Sequence, residues 1–317
     1  MTAVFDTLRL PVFAAPMFLV SGPEMVIASC KAGIGGAFPT TNCRTVDDLD
    51  AWMAQITGAL KPGDAPWIAN LITHSTNARL SEDLRLVAKY KPPVVITALG
   101  SPKPVMETVK AYGGLVFADV ISMTLARKAA QAGVDGLACV SAGAGGHTGH
   151  LSPFAFISAV REFFDGYIAV GGGVGDGAGI AGAVAAGADF VYMGTRFLAT
   201  TESMAQPAYK QMVIDAGPDD LVVSDSVTGT NASWLKPSLR AAGKDPDNLG
   251  GPAARDYASG GDTKRWRDIW AAGQGIESVK SVEPIADVVG QLEREYVAAL
   301  ERFERKTAKR PALRGAA

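Results

Sequence analysis

The chain has 317 residues, 48% of them hydrophobic and 20% charged, with 30 basic and 32 acidic side chains for a net charge of −2. That length suits one α/β barrel with an insertion or two smaller domains, and the modest charge fraction implies a large buried core. The near balance of charge argues against nucleic acid or an anionic membrane as partner. The N-terminus, "MTAVFDTLRLPVFAAPM", lacks the basic start of a signal peptide, and no apolar stretch reaches bilayer-spanning length. Cys30, Cys43 and Cys139 are odd in number and form no C-x-x-C. This argues against a disulfide framework or a structural metal site and fits a reducing, cytoplasmic setting.

Eight short apolar runs alternate with helix-like stretches. In chain order the runs are "VFAAPMF", "GGAFPT", "WIANLI", "PVVITAL", "LVFADVI", "GLACVSA", "YIAVGGG" and "FVYMGT". Between them lie "GPEMVIASCKAG", "TVDDLDAWMAQI", "SEDLRLVAKY", "KPVMETVKAYG", "MTLARKAAQAG", "PFAFISAVREFF" and "GAGIAGAVAAG". The strand-like runs are continuously apolar, which means burial on both faces, as in a parallel sheet covered by helices. Eight such units predict a closed (β/α)8 TIM barrel. An open doubly wound sheet would want a Gly-rich loop after its first strand. Here the first strand ends in "APMFLVSGPE", and the glycine loops come late, after strands seven and eight.

After Thr195 the rhythm breaks. From about Ser203 to Trp270 the chain is polar and turn-rich, with short helix candidates at Pro207–Ala216 and Ser233–Ala242 and no buried-strand pattern. An insertion there would lie over the C-terminal mouth of the barrel, where such loops carry function. The expectation is a small, mainly helical cap, with a peripheral subdomain making homodimer contacts as the alternative. Trp234, Tyr257 and Trp266 could line the pocket or simply pack the cap. The run "VEPIADVVGQLEREYVAALERF" then predicts a long amphipathic helix closing the outer ring. The expected division is a barrel from 1–202 and 271–304, a capping subdomain at 203–270, and a flexible tail at 305–317.

Several loops carry chemistry. "AVGGGVGDGAG" after the seventh strand lets backbone approach an anion closely and precedes a helix N-terminus. Gly194 and Thr195, ending the eighth strand, can offer N–H groups and a hydroxyl to the same anion. Together they read as a phosphate cup in the last two loops of a barrel. Asn70, in an otherwise apolar strand, needs partners for two donors and an acceptor, either a neighbouring loop or the edge of a bound heterocycle. "SAGAGGHTGHLS" holds two of the three histidines in a loop after the sixth strand. His147 and His150 have no third ligand nearby, so no metal is expected. His74 follows the third strand and could line the pocket or simply pack. Tyr192 reads as packing and Arg196 as an ion pair.

"APMF", "ANL", "SAGAGGHTGH", "VGGGVGDGAGIAGAVAAGADFVYMGTRFLATTES" and "WAAGQG", in that order over nearly the whole chain, resemble the nitronate monooxygenase (2-nitropropane dioxygenase) family. That family is related to FMN-dependent enoyl-acyl-carrier-protein reductases and to quinone reductases. The resemblance implies FMN as cofactor, a capped barrel, a nitronate or similar small molecule as substrate, and O2 as co-substrate. It implies His147 as the active-site histidine. Ala15, Pro16, Met17 and Asn70 would lie beside the flavin ring. Gly172, Gly173, Gly194 and Thr195 would hold its phosphate, and Gln274 would approach it from the returning loop. Where several relatives place Lys, Thr or Ser late in the fifth strand, this chain has Asp119.

Two other functions stay open on the sequence. One is an NAD(P)H-dependent FMN reductase acting on an enoyl thioester or a quinone, which would use the same histidine. The other is a non-redox barrel binding a phosphorylated ligand.

Overall fold

The computed structural model describes residues 3–253 and 263–308, with the backbone alone for 263–265. Eight parallel strands close a barrel: β1 (Val12–Ala14), β2 (Gly35–Pro39), β3 (Trp67–Ile72), β4 (Val94–Ala98), β5 (Leu115–Val120), β6 (Gly136–Val140), then, after the two-residue β7 (Gly146–His147), β8 (Tyr167–Gly171) and β9 (Phe190–Met193). β9 returns to β1, with Phe13 opposite Tyr192 and Ala14 opposite Met193. All eight expected runs form these strands, because continuous apolar sequence suits burial on both faces.

The helices α1 (Pro23–Ala32), α2 (Val46–Ala59), α3 (Leu80–Tyr90), α4 (Lys103–Ala111), α5 (Met123–Gln131), α6 (Pro153–Arg161) and α7 (Gly177–Ala185) connect successive strands. Several start on side-chain caps that satisfy orphan N–H groups. Thr45 and Asp48 form a reciprocal capping box on α2, while Ser122 caps α5 and Ser152 caps α6.

Strand alternation sorts the core into two layers. Val12, Ala14, Leu71, Val95 and Val116 face the helices. Phe13, Ile68, Ile96, Phe117, Ala138, Phe190 and Tyr192 fill the barrel. Phe5, on the 3-10 turn Ala3–Phe5, joins the interior, with its ring 4.6 Å from Phe190 and 5.1 Å from Tyr167. Those two residues begin their strands, so Phe5 plugs the N-terminal end. Small residues make room for the rings: a Cβ at Gly136 would lie 2.3 Å from Phe117.

The 203–270 segment carries α8 (Pro207–Asp215), β10 (Leu221–Ser224), β11 (Ala232–Leu235), α9 (Lys236–Ala241) and α10 (Thr263–Asp268). The helix expected over Ser233–Ala242 starts only at Lys236. Pro237 belongs to the first turn of a helix and biases the residues before it toward extended backbone. Ser233, Trp234 and Leu235 are therefore strand, and all three are buried. β11 is the middle strand of a three-stranded sheet, β10–β11–β7, that the sequence pattern did not announce. α11 (Ile285–Ala308) packs on α1 and α7 and closes the outer ring. It runs through 305–308, the first residues of the expected tail, whose remainder lies outside the described residues, as does Tyr257. Among the described residues no helix is long and apolar enough to cross a membrane.

Candidate active site

The C-terminal end of the barrel gathers four loops, and backbone contacts join them. The Gly143 carbonyl accepts from Gly173 N–H at 3.1 Å and from Gln274 N–H at 2.8 Å. Gly273 N–H donates to Thr195 Oγ1 at 2.9 Å. So the loops after β6, β8 and β9 and the segment returning from the cap converge on one spot. Their glycines are required by this packing. A Cβ at Gly145 would lie 2.7 Å from Gly273 N, one at Gly273 would lie 2.5 Å from Gly143 O, and one at Gly172 would lie 2.6 Å from Ala142 O. Gly172 and Gly173 also have φ of +133° and +71°, where L side chains are strained.

These loops form a cup. The turn Thr195–Phe197 opens with N–H groups that have no partner inside the turn. At Gly194 a Cβ would meet Met17 Sδ only at 3.5 Å, an ordinary contact, so the neighbouring protein atoms do not demand glycine there. A cavity of about 460 Å³ beside the cup is lined by Phe154, Gly172, Gly173, Gly175, Asp176 and Gln274. The sequence suggested that the α7 N-terminus would also face the anion. Two of its N–H groups are already taken: Asp176 accepts from Gly179 N–H at 2.6 Å, and Glu295 accepts from Gly177 N–H at 2.9 Å. Ala178 and Gly179 at that end also line the cavity.

His147 sits on β7, opposite Ala232 of β11. Thr148 holds the strand in place, its N–H bonded to Asn231 O at 3.1 Å and its hydroxyl to Ser141 O at 3.0 Å. The imidazole meets Trp266 of the 203–270 segment edge-on at 5.4 Å, and Trp266 packs against the buried Trp234 at 4.7 Å. His147 Nε2 is enclosed and has no hydrogen-bond partner. Burial disfavours the imidazolium and pushes the pKa down to about 4, so the ring is neutral at neutral pH. His150 is exposed. His74 Nδ1 pairs locally with Thr76 Oγ1 at 2.8 Å. No group of three candidate metal ligands occurs among the described residues.

The floor of the mouth is polar. Asn70 Nδ2 lies 3.2 Å from Ile96 O and 3.4 Å from Asp119 Oδ2. Burial pushes the Asp119 carboxyl up to about 7, against the opposing influence of Tyr192 and Asn70. Its Oδ1 is enclosed and unpartnered.

Ala15 and Pro16 follow β1, and the backbone of Met17 beyond them is engaged rather than open. Its N–H donates to Ser21 Oγ at 2.9 Å, and its carbonyl accepts from Asn42 Nδ2 at 3.1 Å. Asn42 also accepts from Leu19 N–H at 2.8 Å, and Leu19 has φ of +60°. Ser21 and Asn42 thus shape the first loop, though neither belongs to a readable motif. Arg196 is 3% exposed and pairs with Glu283 at 3.4 Å and Gln291 at 2.8 Å, an ion pair as the sequence suggested.

The nitronate monooxygenase family model matches residues 72–295. A nitronate monooxygenase of Paraburkholderia phytofirmans is 26% identical, with 92% of this chain and 94% of that protein aligned. A 5-hydroxy-7a-methyl-1-oxo-octahydro-1H-indene-4-carboxyl-CoA dehydrogenase of Mycobacterium tuberculosis is 29% identical over 72% of this chain. There the chain spans 64% of the relative's length. FabK from Thermotoga maritima superposes with a TM-score of 0.79 at 25% identity, covering 96% of this chain and 99% of its own. With the barrel, the convergent glycine loops and the family match in place, the chain belongs to the nitronate monooxygenase family.

Proposed function

We propose that the protein is an oxidoreductase that binds FMN and oxidises alkyl nitronates with O2 to a carbonyl compound and nitrite. The observation that carries this reading is His147: a neutral, half-buried imidazole with an enclosed, unpartnered Nε2, held by a short strand that pairs with β11. The residues also fit the cofactor. Gly172, Gly173, Gly194 and Thr195 would cradle the phosphate, Gly173 by close backbone approach because its N–H is already bonded to Gly143 O, and Thr195 through its hydroxyl. In this reading Ala15, Pro16, Met17 and Asn70 would lie beside the ring, with Gln274, which lines the cavity next to the glycine loop, approaching it from the returning segment. In this reading residues 203–270 cap a barrel made by 1–202 and 271–304.

A bound flavin would supply the capacity to accept electrons and pass them to O2. The chain's own residues would orient the substrate and exclude water. A base with a pKa near 4 is weak for removing a proton from carbon, so His147 suits a substrate that arrives already deprotonated. It would hydrogen-bond a nitronate through Nε2, which favours nitronates over neutral nitroalkanes.

The test is a pair of assays on the purified flavoprotein. The expected result is nitrite released from propionate 3-nitronate in air without any pyridine nucleotide, and no bleaching of the flavin by NADH or NADPH under anaerobic conditions. Rapid bleaching would instead indicate a reductase acting on a thioester or quinone. Absence of flavin absorbance after incubation with FMN would indicate a non-redox barrel.

A further inference from the structure

Asp119 is an ionisable group at the mouth end of the barrel interior to which the proposed chemistry gives no role. Alternation along β5 puts it on the face of Leu115 and Phe117, inside the barrel, in register with Ala138 of β6. It is the fifth of six residues in its strand, so it lies at the mouth end. Oδ2 is near Asn70 Nδ2, while Oδ1 is enclosed with nothing to bond. A buried carboxylate left with an unpaired oxygen is costly, whereas a neutral carboxyl has a proton to donate.

We propose that Asp119 is a proton-holding site coupled to the flavin: it takes up one proton when the ring occupies the mouth and presents a neutral carboxyl to it as hydrogen-bond donor. The step is a protonation only. A proton from solvent forms an O–H bond at Oδ1 and no electron moves. The idea rests on the flavin reading above. Its physical basis is repulsion: Asn70 and Tyr192 partly stabilise the ionised carboxylate, but its unpartnered Oδ1 facing the electron-rich edge of a heterocycle, with water excluded, would gain nothing. The upward shift of the carboxyl to about 7 places the transition where modest changes in pH reveal it. The groups around it are few. From β9 comes Tyr192, whose own ionisation is pushed well up by burial and by Asp119. From β6 comes Cys139, which senses the Asp119 charge. β3 offers Asn70 and β4 offers Ile96, neither of which titrates.

The test uses the full chain stripped of flavin. Riboflavin is titrated in by fluorescence quenching between pH 6 and 9, in the wild type and in Asp119→Asn. Riboflavin removes the confounding phosphate, whose second ionisation falls at about pH 6. For the wild type, Kd should rise roughly tenfold per pH unit above neutrality, while the Asp119→Asn variant should be flat because its amide cannot ionise. Calorimetry in two buffers of different ionisation enthalpy should count close to one proton taken up by the wild type at pH 8. A second measurement needs no variant: carbon-13 NMR of labelled aspartate in the wild type should show one carboxyl titrating near neutrality and moving upward when riboflavin binds. Equal pH dependence in both proteins, or every carboxyl ionising in the ordinary acid range, would overturn the proposal and leave the flavin reading standing. Failure of riboflavin and FMN to bind at any pH would overturn both.

Discussion

Trp266 meets His147 edge-on, with ring centroids 5.4 Å apart at 87°, so a residue of the 203–270 segment forms part of the wall around the histidine. That wall keeps water from the imidazole and so helps hold its pKa down. In Trp266→Ala, water should reach the ring, and the pKa should climb from about 4 toward the ordinary 6.5. Titration of the His147 ring protons by NMR checks this. An unchanged pKa would mean that the barrel loops alone enclose the ring.

His147 and Asp119 have opposite effects on stability as pH changes. His147 is depressed from 6.5 to about 4 in the fold. Between those values the unfolded chain binds its proton and the folded chain does not, so stability is lost as pH falls through that window. Asp119 is raised from 3.8 to about 7. Between those values the folded chain holds the proton and the unfolded chain does not, so stability is lost as pH rises. At about 1.4 kcal/mol per pKa unit, the effect across its window is at most ~3.5 kcal/mol for His147 and ~4.5 kcal/mol for Asp119. From about pH 4 to 6.5 the two largely cancel. Urea melts of flavin-free protein should therefore show two opposite slopes once the pair is split: stability rising with pH in Asp119→Asn and falling with pH in His147→Gln. Parallel slopes in the two variants would contradict this.

Two glycines should respond in opposite ways to alanine. At Gly145 the new Cβ would lie 2.7 Å from Gly273 N and 2.8 Å from Ala272 C, backbone atoms fixed by several loops. Gly145→Ala should cost about 2–4 kcal/mol, in the range of overpacked sites, and should pull His147 out of register. Gly58, inside α2, has open space where a Cβ would stand, with no atom within 4 Å. Gly58→Ala should add about 0.5–1 kcal/mol through helix propensity and reduced freedom of the unfolded chain. Thermal melts of both variants decide the matter.

Thr195 links the cup to the returning segment through the bond from Gly273 N–H. Thr195→Val removes the acceptor while nearly keeping the shape. It should cost about 1–2 kcal/mol in denaturant melts, because the Gly273 N–H is left unpaired. FMN affinity, measured by fluorescence, should drop by more than riboflavin affinity, because the hydroxyl serves the phosphate. Equal losses for both flavins would separate Thr195 from the phosphate.

The barrel was legible because each strand is buried on two faces, and uninterrupted apolar runs such as "WIANLI" admit few other readings. The glycine loops were legible as places of close approach. What they approach was not: Gly145 and Gly273 face each other across more than a hundred residues, and spacing within one loop says nothing about a partner from another. β7 was hidden for a similar reason. Two residues in a glycine-rich loop carry no alternation, and their strand character comes entirely from Ala232 and Ser233 across the sheet. Likewise Ser233–Leu235 looked helical by composition, and Pro237 with the burial of Trp234 decided otherwise. Asp119 stood out in its strand from the start, but its missing partner is a fact of three dimensions.

The pairing of β7 with β11 also limits how this enzyme family could be re-engineered through this chain. A segment exchanged for residues 203–270 would replace β11, and residues 146–148 would have to follow the new strand's twist and register. The histidine belongs to the barrel by sequence but to the cap by hydrogen bonding. A graft that alters pocket shape would therefore also re-aim the imidazole unless the short strand travels with it. The smallest exchangeable unit is two pieces of chain, the insertion and the loop at 143–150, carried together.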